Sequence, residues 1–173
     1  VIAIGECGLD YNRDFSPRDV QRSVFRRQLA LAEKLDLPVY LHERDASDDM
    51  LSILEEFSIR GVLHCFTGNS AALKQYLDLG LYIGITGWVC DERRGKDLQQ
   101  LVPSIPLDRL LIETDAPFLI PRTVKPKPKS RKNEPALLPY ICQTVAQLYQ
   151  IDEEVVARKT TENFHRVFGL EDR

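Results

Sequence analysis

Short apolar runs alternate along this chain with longer stretches in which apolar residues recur every three or four positions. The first run, Ile2-Ala3-Ile4-Gly5, reads as a strand, and Ser16-Pro17-Arg18-Asp19 reads as a helix start: an N-cap serine, a proline at the first helical position and an acid in the first turn. Val20, Val24, Phe25, Leu29, Ala32 and Leu35 then keep one apolar face, while Arg26, Arg27, Glu33 and Lys34 fall mostly elsewhere, which predicts a helix covering a sheet. The same grammar repeats. Pro38 to His42 is a strand, Ser47 a cap, and Met50, Leu51, Leu54 and Phe57 a buried stripe. Gly61 to His64 leads to a helix through Leu73, Tyr76 and Leu77, stopped by Gly80 at a left-handed position. Leu81 to Thr86 and Leu110 to Asp115 are a fourth and fifth strand, separated by the loop Asp91 to Lys96 and a helix over Asp97 to Leu101. Asn133-Glu134-Pro135 starts a helix to about Tyr149, and Glu153 to Phe168 supplies one or two more that pack outside the sheet. Strand and helix in alternation with short connections predict parallel crossovers, in a barrel or an open doubly wound sheet. Gly8, Gly68 and Gly84 form no dinucleotide or P-loop pattern.

A residue of metal-ligand type closes the strand pattern four times: Glu6, His42, His64 and Asp115. In a parallel barrel the ends of successive strands converge on one face, so residues far apart in sequence meet around a common centre. A single histidine at a strand end is more often a packing residue. Two of the chain's three histidines, however, occupy the same place in consecutive strand-helix units, whereas His165, between Phe164 and Phe168, reads as structural. Mixed carboxylate and imidazole donors suit zinc, manganese or magnesium and leave a position open to water. Such a site hydrolyses. Asp115 would both hold a metal and accept the proton of the attacking water.

Composition narrows the class. Apolar content of 43% and charged content of 28% are ordinary for a globular protein, and no apolar stretch approaches the ~20 residues of a membrane span. Cys7, Cys65, Cys90 and Cys142 lie far apart, as expected for reduced thiols of a cytoplasmic protein. The chain opens on Val1 within an apolar run and its one methionine is Met50, so we expect a piece of a longer polypeptide. About five strand-helix units fit, where a complete eight-stranded barrel takes about 250 residues. Expressed alone, a piece with two apolar edge strands is expected to be insoluble, molten or inactive. A net charge of −3 excludes a protein that coats nucleic acid by overall charge, yet Arg122, Lys125, Lys127, Lys129, Arg131 and Lys132 form a proline-spaced basic arm with no acid among them.

The segments Ile4-Gly5-Glu6-Cys7-Gly8-Leu9-Asp10, Leu41-His42, Leu63-His64-Cys65-Phe66-Thr67-Gly68, Tyr82 to Gly87, Ile112-Glu113-Thr114-Asp115-Ala116-Pro117 and Arg131-Lys132-Asn133-Glu134-Pro135 resemble the TatD family of metal-dependent deoxyribonucleases, over Val1 to about Gly169. The resemblance implies a TIM (β/α)8 barrel related to the amidohydrolases, with residues 1–173 as the C-terminal part of one barrel domain carrying about strands 4–8. Glu6 would end strand four and bridge two ions, His42 and His64 would end strands five and six, and Asp115 strand eight. Catalysis would fall to Asp115 and Glu6. Glu113, Asn133 and Glu134 would stand behind the ligands. The cofactor would be one to three divalent ions, magnesium as first choice with zinc or manganese as alternatives. The family reading implies a cytoplasmic, monomeric 3′-5′ exonuclease on single-stranded DNA.

The basic arm follows the Asp115 strand and would neutralise phosphates of an entering strand, although isolated charge runs are usually solvated linkers. Arg122, Lys125, Lys127, Lys129 and Arg131 are the candidate contacts, with Trp88 stacking on unpaired bases; Tyr11 and Phe118 are further stacking candidates. Two other readings stand beside the nuclease. One is a metal-dependent amide or ester hydrolase, since the same barrel serves acyl chemistry. The other is a non-catalytic metal-binding or nucleic-acid-binding scaffold.

Overall fold

A computed structural model describes residues 1–170. The element order is β1 (Ile4–Asp10), α1 (Arg18–Leu35), β2 (Val39–Arg44), α2 (Ser47–Leu54), β3 (Gly61–Leu63), α3 (Ser70–Asp78), β4 (Tyr82–Ile85), α4 (Lys96–Leu101), β5 (Leu110–Ile112), α5 (Leu138–Tyr149) and α6 (Glu153–Phe168). It is an α/β fold with parallel strands, as the alternating pattern predicts. The chain divides into two compact units, one made of Val1–His64, Ser70–Tyr82 and the end of the chain from His165, the other of Cys65–Asn69 and Ile83–Phe164.

In the first unit β1 pairs with β2 from Ile4↔Val39 to Asp10↔Arg44, and β2 pairs with β3 from Val39↔Gly61 to Leu41↔Leu63, all parallel. Leu9 and Leu41 on the strands, Phe25 and Leu29 of α1, Met50 of α2 and Tyr76 of α3 are each fully buried. The apolar stripe of α1 is narrower than its periodicity predicts. Phe25, Leu29 and Ala32 are buried, but Val20, Val24 and Leu35 stay 44%, 42% and 51% exposed. Periodicity tells which residues share a face, not how much of that face is covered. Because Phe25 is completely enclosed, Phe25→Ala is expected to lower stability by about 3–5 kcal/mol through lost contacts and a residual cavity. A urea titration monitored by far-ultraviolet circular dichroism measures this.

Helix starts differ from the expected caps. α1 begins at Arg18, so Pro17 rather than Ser16 takes the N-cap position, with no side-chain cap. The Ser16 carbonyl instead accepts from Gln21 Nε2 at 2.9 Å. Ser47 is the first residue of α2 and does not cap it; the preceding Ala46 N–H donates to Glu43 Oε1 at 2.7 Å. Gly80 does take the left-handed conformation after α3, at φ 80°.

In the second unit β4 and β5 pair in parallel from Ile83↔Leu110 to Ile85↔Ile112. Ile83, Ile85, Val102, Leu110, Ile141, Val145 and Val156 form its core. Asn163 of α6 is buried and donates to the carbonyls of Leu107 and Leu110, both at 2.8 Å, fixing the start of β5. A 3-10 turn over Pro135–Leu137 precedes α5, which therefore starts later than Asn133. Glu153–Phe168 is one continuous helix. None of the four cysteines is in a disulfide, and among the described residues no helix is long and apolar enough to cross a membrane.

Candidate metal centre

The ligand candidates do not all close their strands. β1 runs four residues beyond Glu6 and β2 two beyond His42, because the ladder continues through Gly8↔His42, Leu9↔Glu43 and Asp10↔Arg44. His64 directly follows β3, and Asp115 lies three residues past β5. Glu6 itself sits in an irregularity: Gly5 pairs with Tyr40 and Cys7 with Leu41, leaving Glu6 as an extra residue in the ladder. A bulge of this kind re-aims a side chain.

Within the first unit the structure brings Glu6, His42 and His64 together. Glu6 Oε1 lies 3.0 Å from His42 Nδ1 and 3.2 Å from His64 Nε2, and the two ring nitrogens are 3.3 Å apart. One donor atom from each residue falls within 4.8 Å of the others. Donors bonded at about 2.0–2.2 Å to a common cation stand roughly 3.0–3.5 Å from one another, so this arrangement fits a divalent ion. The Tyr40 ring lies 5.3 Å from that of His64, which is only 6% exposed and so has little room to turn away. A cleft of about 290 Å³ opens beside Glu6 and His42, with Asp10, Arg13, Phe15 and Gln21 among its lining.

The carboxylate and imidazole groups of the cluster shift one another's protonation. The hydrogen bond from His42, and then that from His64, holds the Glu6 carboxyl well below the usual carboxylate range, against its partial burial. His42 is raised in turn, chiefly by Glu6 and against burial, with help from Asp10. Cys7 next to the cluster is pushed up to about 12, first by burial and then by the Glu6 charge. Asp10, present in the sequence motif but given no role there, has Oδ2 3.0 Å from His42 Nε2. No local pattern marks it, since its partner lies across the strand pair.

The second unit carries the remaining candidates. Glu113 Oε1 accepts from the Cys65 N–H at 2.5 Å, anchoring the backbone one residue after His64. Asp115 is partly buried and adopts a left-handed backbone, φ 57°, within a turn closed by the Phe118 N–H to its carbonyl at 2.9 Å. That turn is stapled by Asn133, whose buried amide donates to the Thr114 and Phe118 carbonyls at 2.8 and 2.7 Å. Asn133 Oδ1 also accepts from the N–H of Glu134, itself exposed.

The nucleic-acid candidates divide. Lys125, Lys127, Lys129 and Arg131 are exposed on the arm. Arg122 is instead paired with Glu92 through two contacts of 2.6 and 2.8 Å, which holds Glu92 at about 2. The Arg94 guanidinium covers one face of Trp88 at 4.7 Å, and Arg18 covers one face of Tyr11 at 4.3 Å. Phe118 is 67% exposed and is therefore not a core residue.

Residues 1–169 match the family described as TatD related DNase. The protein named 3′-5′ ssDNA/RNA exonuclease TatD from Yersinia pseudotuberculosis is 56% identical over 173 residues, covering 98% of this chain and 66% of its own length. Its namesake from Klebsiella pneumoniae is 53% identical over 174 residues, covering 99% of this chain and 66% of its own length. This chain thus spans about two thirds of the length of these curated relatives. Among solved structures, the TatD family hydrolase from Entamoeba histolytica superposes with a TM-score of 0.88 at 29% identity, covering 98% of this chain and 64% of that one. A family match that takes in every residue of the Glu6, His42 and His64 cluster, together with relatives at more than half identity, shows that the chain belongs to the TatD related DNase family.

Proposed function

We propose that this chain forms the metal-holding part of a nuclease that hydrolyses DNA phosphodiester bonds, removing nucleotides from the 3′ end of single-stranded substrate. The observation that carries the reading is the convergence of Glu6, His42 and His64 in a chain whose relatives bear a 3′-5′ ssDNA/RNA exonuclease name. Such donors would hold one to three divalent ions, magnesium before zinc or manganese, which would supply polarisation of a phosphoryl oxygen and a more acidic water. Glu6, a carboxylate at neutral pH, would supply the negative donor. His42 and His64 supply neutral nitrogens, and Asp115 is assigned as the last ligand and as acceptor of the proton of the attacking water. Glu113 steadies the backbone behind His64, and Asn133, with Glu134 bonded to it, steadies the turn that presents Asp115.

This reading makes the chain the C-terminal part of a single TIM barrel, about strands 4–8, of a cytoplasmic monomer. The greater length of the relatives supports it.

An oligonucleotide assay tests the function. With the protein at its natural length and magnesium present, single-stranded DNA labelled at its 5′ end should shorten progressively, while a 3′ label should leave at once as mononucleotide, and chelator should stop both. Internal cuts, or cleavage indifferent to chelator, would contradict the proposal.

Lys125, Lys127, Lys129 and Arg131 are assigned to substrate phosphates; Arg122 and Trp88 contribute less, being engaged by Glu92 and Arg94. Reversing the charge of Lys127 and Lys129 is therefore expected to weaken single-stranded DNA binding. The dependence of log K on log salt should become less steep by about 0.7 per lost contact. Fluorescence anisotropy across a salt series reads this directly, and an unchanged slope would make the arm a linker.

A further inference from the structure

We propose that Asp10 is a positioning residue that fixes the ring orientation of His42 and holds a proton on its Nε2, so that Nδ1 is the nitrogen turned toward Glu6 and His64. The inference rests on the metal-centre reading above and adds to it a residue outside the proposed ligand set. The His42 ring is held from both sides. Nδ1 lies 3.0 Å from Glu6 Oε1 and 3.3 Å from His64 Nε2, whereas Nε2 lies 3.0 Å from Asp10 Oδ2. A neutral imidazole has one N–H and one lone pair, and an ionised carboxylate only accepts hydrogen bonds. Both ring nitrogens face a carboxylate oxygen at 3.0 Å, so a cation at Nδ1 displaces only the proton shared with Glu6, while Asp10 keeps the other on Nε2. A carboxylate behind a ligand histidine orients the ring and raises its basicity.

The position of Asp10 is itself over-determined. Its Oδ1 accepts the backbone N–H groups of Arg13 and Asn12 at 2.7 and 3.1 Å, so the carboxylate cannot rotate without breaking a turn. Its backbone is gripped by Gln21 of α1, whose Oε1 accepts the Asp10 N–H at 2.9 Å and whose Nε2 donates to the Asp10 carbonyl at 3.2 Å. Only Oδ2 faces the ring, and the side chain is 19% exposed, so water competes weakly for it.

This geometry separates two substitutions that a merely structural role would not. In Asp10→Asn the amide oxygen is still needed by the Arg13 and Asn12 N–H groups, which leaves the NH2 facing His42 Nε2. A donor there demands a lone pair on Nε2 and sends the proton to Nδ1, the wrong tautomer for binding. Asp10→Ala removes the orienting acceptor and the turn contacts, but imposes no tautomer.

The experiment uses the wild-type protein and both variants. Histidine ring nitrogens are followed by 15N NMR without metal, Mn2+ affinity is measured by calorimetry, and urea unfolding monitors the fold. The expected result is a protonated His42 Nε2 in the wild type and an unprotonated Nε2 in Asp10→Asn. Mn2+ affinity should fall by about 10–100-fold in Asp10→Asn and by less in Asp10→Ala, although the alanine variant loses more of the turn. The same protonation of Nε2 in wild type and Asp10→Asn, or Ala binding as weakly as Asn, would overturn the proposal. Failure of the wild type to bind Mn2+ would instead overturn the metal-centre reading, while the tautomer measurement would still judge Asp10.

Discussion

Asp115→Asn is expected to lower kcat for DNA hydrolysis by about 10²–10⁴-fold, the usual contribution of a positioned proton acceptor, while leaving the fold intact. The substitution suits the site because the two side chains are nearly isosteric and differ in charge and basicity. It also suits the backbone. Asp115 has φ 57°, a region that aspartate and asparagine enter more readily than most residues, so strain does not change. The turn is further held by Asn133, whose contacts go to the Thr114 and Phe118 carbonyls and not to the Asp115 side chain. Single-turnover kinetics alongside urea unfolding measure both halves of the expectation. A variant with wild-type kcat would remove Asp115 from the mechanism.

Gly8→Ala should be at least as damaging, by a different route. Gly8 is the register partner of His42, and its φ of 151° lies where side-chain-bearing residues are strained. A methyl group there would stand 1.9 Å from the His42 carbonyl oxygen and 2.8 Å from its carbonyl carbon. Both are backbone atoms, so no rotamer change relieves the contact and β1 and β2 must part at the ligand itself. The φ strain alone costs about 1–3 kcal/mol, and the displacement should also abolish measurable Mn2+ binding. Denaturant unfolding and calorimetry together check this. Wild-type stability with wild-type affinity would mean that the close approach of the two strands does not set the ligand geometry.

Strand and helix alternation was legible because burial imposes its period on the sequence: Leu9, Leu41 and Leu63 face a core that α1 and α2 close with Phe25, Leu29 and Met50. Strand ends were not. β2 continues through Glu43 and Arg44 because backbone pairing with β1, not side-chain polarity, decides where the ladder stops. Glu6 and the two histidines were legible as donor types at repeating places. Their convergence needed the bulge at Glu6, which depends on a partner strand more than thirty residues away and leaves no local pattern. Asp10 was missed for the same reason: its meaning lies in His42, across the strand pair. The arm was read as a uniform run of charge, whereas Arg122 belongs to Glu92, an ion pair that residue counting along the arm does not reveal.

The most direct test of the central claim is anomalous diffraction from crystals of the protein grown with zinc, collected on both sides of the zinc edge. The account predicts an anomalous peak about 2.0–2.2 Å from Glu6 Oε1, His42 Nδ1 and His64 Nε2 together. A peak held by other residues, or none at this cluster under saturating zinc, would contradict it.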